Sequence, residues 1–168
     1  MEIVKYPHPS LRRGGQPVEA FDENLRETAA EMLERMYLDA GVGLAAPQVD
    51  LPLNLLVLNP TGDSAQADQE MTLVNPNILS RKELEWGDEG CLSFPGLYVE
   101  VERHREIRIS YQDLDGAEQE ASFENFLARV IQHEMDHLQG KTLVDRMSPA
   151  DRIRAKSRLL ELEQAAKE

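Results

Sequence analysis

The stretch Gln132-His133-Glu134-Met135-Asp136-His137 lies inside an apolar-periodic run from Phe123 to Leu138, with Phe126, Leu127, Val130, Ile131 and Leu138 at helical spacing. At about 100° per residue, His133 and His137 fall one turn apart on the same helix face, where two imidazoles can share a metal ion. Glu134 beside them can reach a water on that ion, so H-E-x-x-H reads as a metallohydrolase signature of two ligands and a general base. Chance, or a plain histidine pair on a helix surface, produces the same letters. Placement favours the metal: a buried helix that turns three ionisable groups inward must satisfy them, and one bound cation does so.

The chain of 168 residues is long enough for one real core and too short for two ordinary ones, so residues 1–168 are expected to form a single catalytic domain. Apolar and charged fractions of 41% and 29% are those of a globular protein. No apolar run reaches the length of a membrane span, and the first residues lack a signal-peptide pattern, so the expected location is the cytoplasm. Net charge is −13, from 31 acidic against 18 basic residues, which argues against bulk nucleic-acid binding. Arg146, Arg152, Arg154, Lys156 and Arg158 run against that trend; they read first as a solvated helix face and otherwise as a docking patch for an anionic partner. Cys91 is the only cysteine, which excludes an internal disulfide and fits a reducing compartment.

Upstream of the histidine helix, residues 1–20 read as irregular because Pro7, Pro9, Gly14, Gly15 and Pro17 interrupt them, and His8 as an exposed loop residue. Asp22 predicts an N-cap for a helix to about Asp39, with Leu25, Ala29, Met32, Leu33 and Met36 as its core stripe. Gly41 to Gln48 reads as a helix C-terminus entering a glycine loop, with Gly41 or Gly43 at the cap; its small residues would also let backbone approach a ligand. Strands are predicted at Leu53–Leu58, Met71–Val74, Ile78–Trp86, Tyr98–Glu102, Glu106–Gln112 and Glu118–Ser122, with loops at Thr61–Gln69 and Gly87–Ser93. Asp115-Gly116 is a hairpin signal, and Ser148-Pro149-Ala150-Asp151 opens a last charged helix. These elements predict an α+β fold with antiparallel sheets around a central metal-binding helix and a C-terminal helix.

Two histidines leave a catalytic metal short of a ligand. In one reading, a gluzincin-type peptidase, Glu161 or Glu163 on the last helix completes the set. His104, between Arg103 and Arg105, reads as a surface residue. Cys91, in a loop shaped by upstream glycines and by Pro95-Gly96, is the stronger candidate, and a thiolate with two imidazoles suits Fe²⁺, Zn²⁺, Co²⁺ or Ni²⁺. A non-enzymatic alternative is a binding protein with a closed, structural zinc site.

Three segments together, Gly41-Val42-Gly43-Leu44-Ala45-Ala46-Pro47-Gln48, Glu89-Gly90-Cys91-Leu92-Ser93 and Gln132–His137, resemble the three motifs of peptide deformylases, in order and at similar separations. The resemblance covers essentially the whole chain, without departure at the motif positions, and is closest to the shorter bacterial type. It implies that Cys91, His133 and His137 hold one divalent metal, Fe²⁺ first among the candidates, with a water in the fourth position. It further implies that Glu134 is the base and that the Gln48 amide and the Leu92 backbone N–H donate to the oxyanion. The implied reaction is hydrolysis of the formyl group of N-formyl-methionyl nascent peptides, releasing formate. Val42, Gly43 and Gly90 would meet the substrate backbone as an added strand. Phe126 and Val130, on the His133 side of the helix, would line the methionine pocket, with Arg129 contributing only its aliphatic stem at the rim. Asp136 either holds a neighbouring group or is a surface carboxylate. A nascent-chain substrate makes Arg152, Arg154, Lys156 and Arg158 candidates for a ribosome contact.

Overall fold

Asp22 sits in extended backbone and its side chain accepts the Leu25 N–H at 3.0 Å, so α2 (Glu23–Leu38) begins where the capping signal lies. It is preceded by a short helix, α1 (Ser10–Arg13), inside the stretch expected to be irregular. The computed structural model describes residues 1–168, and its β1 (Gly43–Ala45), β2 (Leu55–Leu58), β3 (Met71–Cys91), β4 (Phe94–Gln112) and β5 (Glu118–Glu124) pair antiparallel in chain order as one five-stranded sheet. The run Leu55-Leu56-Val57-Leu58 is buried on both sides and explains the layering. Leu55 and Val57 pack with Leu25, Ala29, Met32 and Met36 of α2. Leu56 and Leu58 point the other way, against Ala128, Ile131 and Met135 of α3 (Asn125–Leu138). Beyond α3 come α4 (Leu143–Arg146) and α5 (Pro149–Ala165), which, with Met147 between them, bury Leu143, Ala155 and Leu162 against Phe94, Leu97, Val99 and Val101 of β4. The predicted α+β class with an antiparallel sheet, a central helix and a C-terminal helix is thus observed.

Several predicted boundaries are corrected. The expected strands at 71–74 and 78–86 are one strand, as are those at 98–102 and 106–112; the irregularities near Asn75 and Ser80 bend the ladder without ending it. The expected loop Gly87–Ser93 is ladder as far as Cys91, and only Leu92-Ser93 form the turn, between the paired Cys91 and Phe94. Glycine and acidic residues are weak strand formers, which hid this. A Cβ on Gly87 would lie 2.9 Å from the Arg129 guanidinium, which would have to shift. The helix expected from Phe123 starts at Asn125, because Phe123 and Glu124 pair with Ile107 and Glu106 and Asn125 turns the chain at φ 57°. The strand expected from Leu53 starts at Leu55, and Ser64–Gln69 of the expected loop is a 3₁₀ turn. Neither Gly41 nor Gly43 takes the left-handed cap position after α2. Ala40 does, at φ 56°, with the Gly41 N–H returning to the Met36 carbonyl. Gly43 lies in β1, and Ala46–Val49 is a 3₁₀ turn that carries Gln48.

Candidate metal centre and cleft

The end of β3 and the buried face of α3 bring together three donor atoms. Cys91, His133 and His137 offer one ligand atom each, all within 4.8 Å of one another, and Cys91 Sγ is 3.4 Å from His137 Nε2. His133 Nδ1 is 2.8 Å from Glu89 Oε1, which leaves Nε2 as the free ligand nitrogen and orients the ring. Glu134 is buried, and its Oε2 has no hydrogen-bond partner. A sulfur and two imidazoles beside an unpaired buried carboxylate oxygen form a donor set that a divalent cation and its water would satisfy, so these residues fit a metal ion. Burial, outweighing the nearby His133, pushes the Glu134 carboxyl up to about 7. Burial together with His133 drives His137 well below the usual imidazole range, so it stands neutral, as a ligand must.

Glu161 and Glu163, the ligands that a gluzincin-type site would need, are engaged elsewhere: Glu161 with Arg158, and Glu163 with the Tyr6 hydroxyl at 2.6 Å. His8 bonds Ser10, and neither it nor His104 joins the three donors.

Around the trio lies an ion network that sequence reading missed. Arg103, 5% exposed, donates through Nε and Nη2 to Glu89, both at 2.9 Å, and through Nη1 to Asp136 at 2.5 Å. Arg129 donates to the same Glu89 at 2.7 Å and to the carbonyls of Val101 and Glu85. Its guanidinium is therefore tied to Glu89 and two carbonyls, and Arg129 lines the cleft. Asp136 is no surface carboxylate; it is buried and also accepts from Arg146. Burial works to raise the Glu89 carboxyl, but bonds from His133 and Arg103 and the Arg103 charge outweigh it and hold it well below the usual range. The signal for Arg103 was its period-two spacing after Val99 and Val101, hidden by the break expected after Glu102.

Cys91, His133 and Glu134 line a cleft of about 540 Å³ bordered by Val42, Gly43, Gly90, Leu92, Phe126 and Val130, while His137 is buried beside them. Phe126 is 54% exposed at the mouth, while Val130 is buried. Gln48 stands behind the trio: its Oε1 accepts the Ala45 N–H at 2.9 Å, which turns Nε2 toward Cys91 Sγ at 3.5 Å and Ser93 Oγ at 3.2 Å. A Cβ on Gly43 would lie 2.9 Å from Glu134 Oε1. Gly43→Ala is therefore expected to displace that carboxylate and lower kcat about tenfold or more, since small misplacements of a reacting group are costly; steady-state kinetics with metal content held equal checks this.

The basic cluster divides. Arg154 pairs with Asp151, Arg158 donates to the Pro95 carbonyl, Arg152 donates to the Val144 carbonyl and Arg146 serves Asp136. At about 100° per residue, Arg152 and Lys156 share one side of α5, while Arg154 and Arg158 lie on the opposite one.

Fold and site define a class: an α+β protein with a Cys/His/His group placed to take one metal ion beside an open cleft that two of its members line. The family model described as polypeptide deformylase matches residues 1–153. A peptide deformylase of Thermotoga maritima is 42% identical over 98% of this chain and 98% of its own, and a chloroplastic peptide deformylase 1B of Oryza sativa subsp. japonica is 44% identical over 88% of this chain and 55% of its own. A crystal structure of peptide deformylase from Plasmodium falciparum superposes with a TM-score of 0.97 at 36% identity, covering 99% of this chain and 97% of that one. The chain belongs to the polypeptide deformylase family.

Proposed function

We propose that this enzyme is a metal-dependent hydrolase that removes the N-formyl group from the terminal formyl-methionine of newly made polypeptides and releases formate. The observation that carries the reading is the buried Glu134 carboxylate, unpaired at Oε2, which lines an open cleft together with Cys91 and His133 of the Cys91/His133/His137 trio. A closed structural zinc site has no use for such a base.

Cys91, His133 and His137 would hold the ion, Fe²⁺ first among the candidates, with Zn²⁺, Ni²⁺ and Co²⁺ as alternatives. When bound, it supplies the Lewis acidity that brings a water within reach of deprotonation near neutral pH. Glu134 takes that proton as the water oxygen bonds to the formyl carbon. Charge then grows on the formyl oxygen, toward which the Gln48 amide and the Leu92 backbone N–H donate. Glu134 returns its proton to the peptide nitrogen as the C–N bond breaks, leaving formate and a free amino terminus. Val42, Gly43 and Gly90 would pair with the substrate backbone, and Phe126 and Val130 would take the methionine side chain between the mouth and base of the cleft. No helix is long and apolar enough to cross a membrane, and a lone cysteine among the ligands suits the cytoplasm. For a ribosome contact, Arg152, Arg154, Lys156 and Arg158 remain the candidates, divided between two sides of α5 as Arg152 with Lys156 and Arg154 with Arg158.

The test is formate release from formyl-Met-Ala-Ser by protein purified without oxygen and loaded with Fe²⁺ or Ni²⁺. Absence of release with metal fully bound would overturn the assignment. Gln48→Ala is expected to keep its metal and lose about 10²–10³ in kcat, as for removal of one oxyanion donor.

A further inference from the structure

Residues 3–6 precede every helix and strand, yet their bonds run to the two pieces of chain that carry Gln48 and Leu92. The Val4 N–H donates to the Gln48 carbonyl at 2.8 Å, and the Tyr6 N–H to the Ser93 carbonyl at 2.9 Å. Between them, the Lys5 ammonium donates to the Leu92 carbonyl at 3.0 Å. The Tyr6 ring stacks on Phe94 with centroids 5.0 Å apart, and Ile3 is anchored in the cluster packed on α2. The segment thus laces the 3₁₀ turn after β1 to the turn between β3 and β4. The other link between these turns is the bond from Gln48 Nε2 to Ser93 Oγ.

We infer that this lace sets the spacing of the two oxyanion donors and that Lys5 is its positioning residue, an inference that rests on the donor roles proposed for Gln48 and Leu92. Two donors stabilise one developing charge only when both are held at bonding distance from the same point before reaction. A charged donor on the Leu92 carbonyl makes a strong bond and fixes the peptide plane that leaves Leu92. In a chain of 31 acidic residues, this exposed ammonium is directed at a backbone carbonyl on the rim of the cleft. Donors that strengthen mainly in the transition state affect kcat and leave KM alone, whereas a lysine that bound the peptide itself would change KM.

The experiment compares wild type, Lys5→Met and Lys5→Arg, all metal-loaded, on formyl-Met-Ala-Ser, and follows amide hydrogen exchange across residues 88–97. Lys5→Met is expected to lower kcat about tenfold at unchanged KM, short of the loss on deleting a donor. It should also speed exchange in that segment without changing the thermal midpoint, and Lys5→Arg should restore both readouts. Wild-type kcat in Lys5→Met, a loss confined to KM, or unchanged exchange would each overturn the inference. A wild type that releases no formate would sink the deformylase reading, and the exchange comparison would still decide whether Lys5 holds the turn.

Discussion

Glu134→Ala is expected to bind its metal normally and to lose formate release by about 10³-fold, within the range for removal of a general base. The carboxylate makes no hydrogen bond that holds the trio: Oε2 bonds to no protein group, and Oε1 lies 3.9 Å from His133 Nε2. Removing a buried, unpaired carboxylate should not destabilise the fold, so the thermal midpoint should hold or rise. The base works only when ionised, so kcat/KM should fall as pH drops through the Glu134 value, which burial pushes up to about 7. A cation beside the carboxylate favours its charged form and moves the limb to lower pH. A rate flat from pH 8 to pH 5, or a variant that turns over at the wild-type rate, would remove Glu134 from the mechanism.

Glu89→Ala should have the largest effect on stability. One carboxylate accepts from His133, Arg103 and Arg129, and its loss leaves the 5%-exposed Arg103 with Asp136 alone. Uncoupling a buried charge in this way costs about 3–5 kcal/mol. The His133 ring also loses the partner that sets its orientation, so metal affinity should drop by about 10–100-fold. Denaturant unfolding and competitive metal titration measure the two effects separately. The pH sign follows from linkage. Glu89 is depressed in the folded state, so its contribution is fully present above the unfolded carboxylate value of about 4.3 and is lost as pH falls through the much lower folded value. Acid loss of activity near pH 6 would therefore belong to Glu134, with the Glu89 network still intact. A Glu89→Ala protein of unchanged stability and metal affinity would mean that Arg103 finds another partner.

The sequence alone determined the parts of this protein that repeat at short range. The His133–His137 pair on one turn, the Asp22 cap and a strand ending at Leu58 follow from local pattern, and the three motif segments contain Gly41–Gly43, Glu89–Leu92 and His133–Glu134, which line the cleft. Tertiary structure decided what depends on distant pairing. It grouped Cys91 with the two histidines and left Glu161 and Glu163 outside that group, bonded to Arg158 and Tyr6. The continuity of β3 and β4 turned an expected loop into ladder, and by alternation it put Arg103 inside, facing Glu89 and Asp136. Alternation with Val99 and Val101 marks the inward face for Arg103, but nothing in its neighbours says which carboxylates meet it there. Its desolvation is offset by carboxylates 14 and 33 positions away, and only the folded chain brings those within bonding distance.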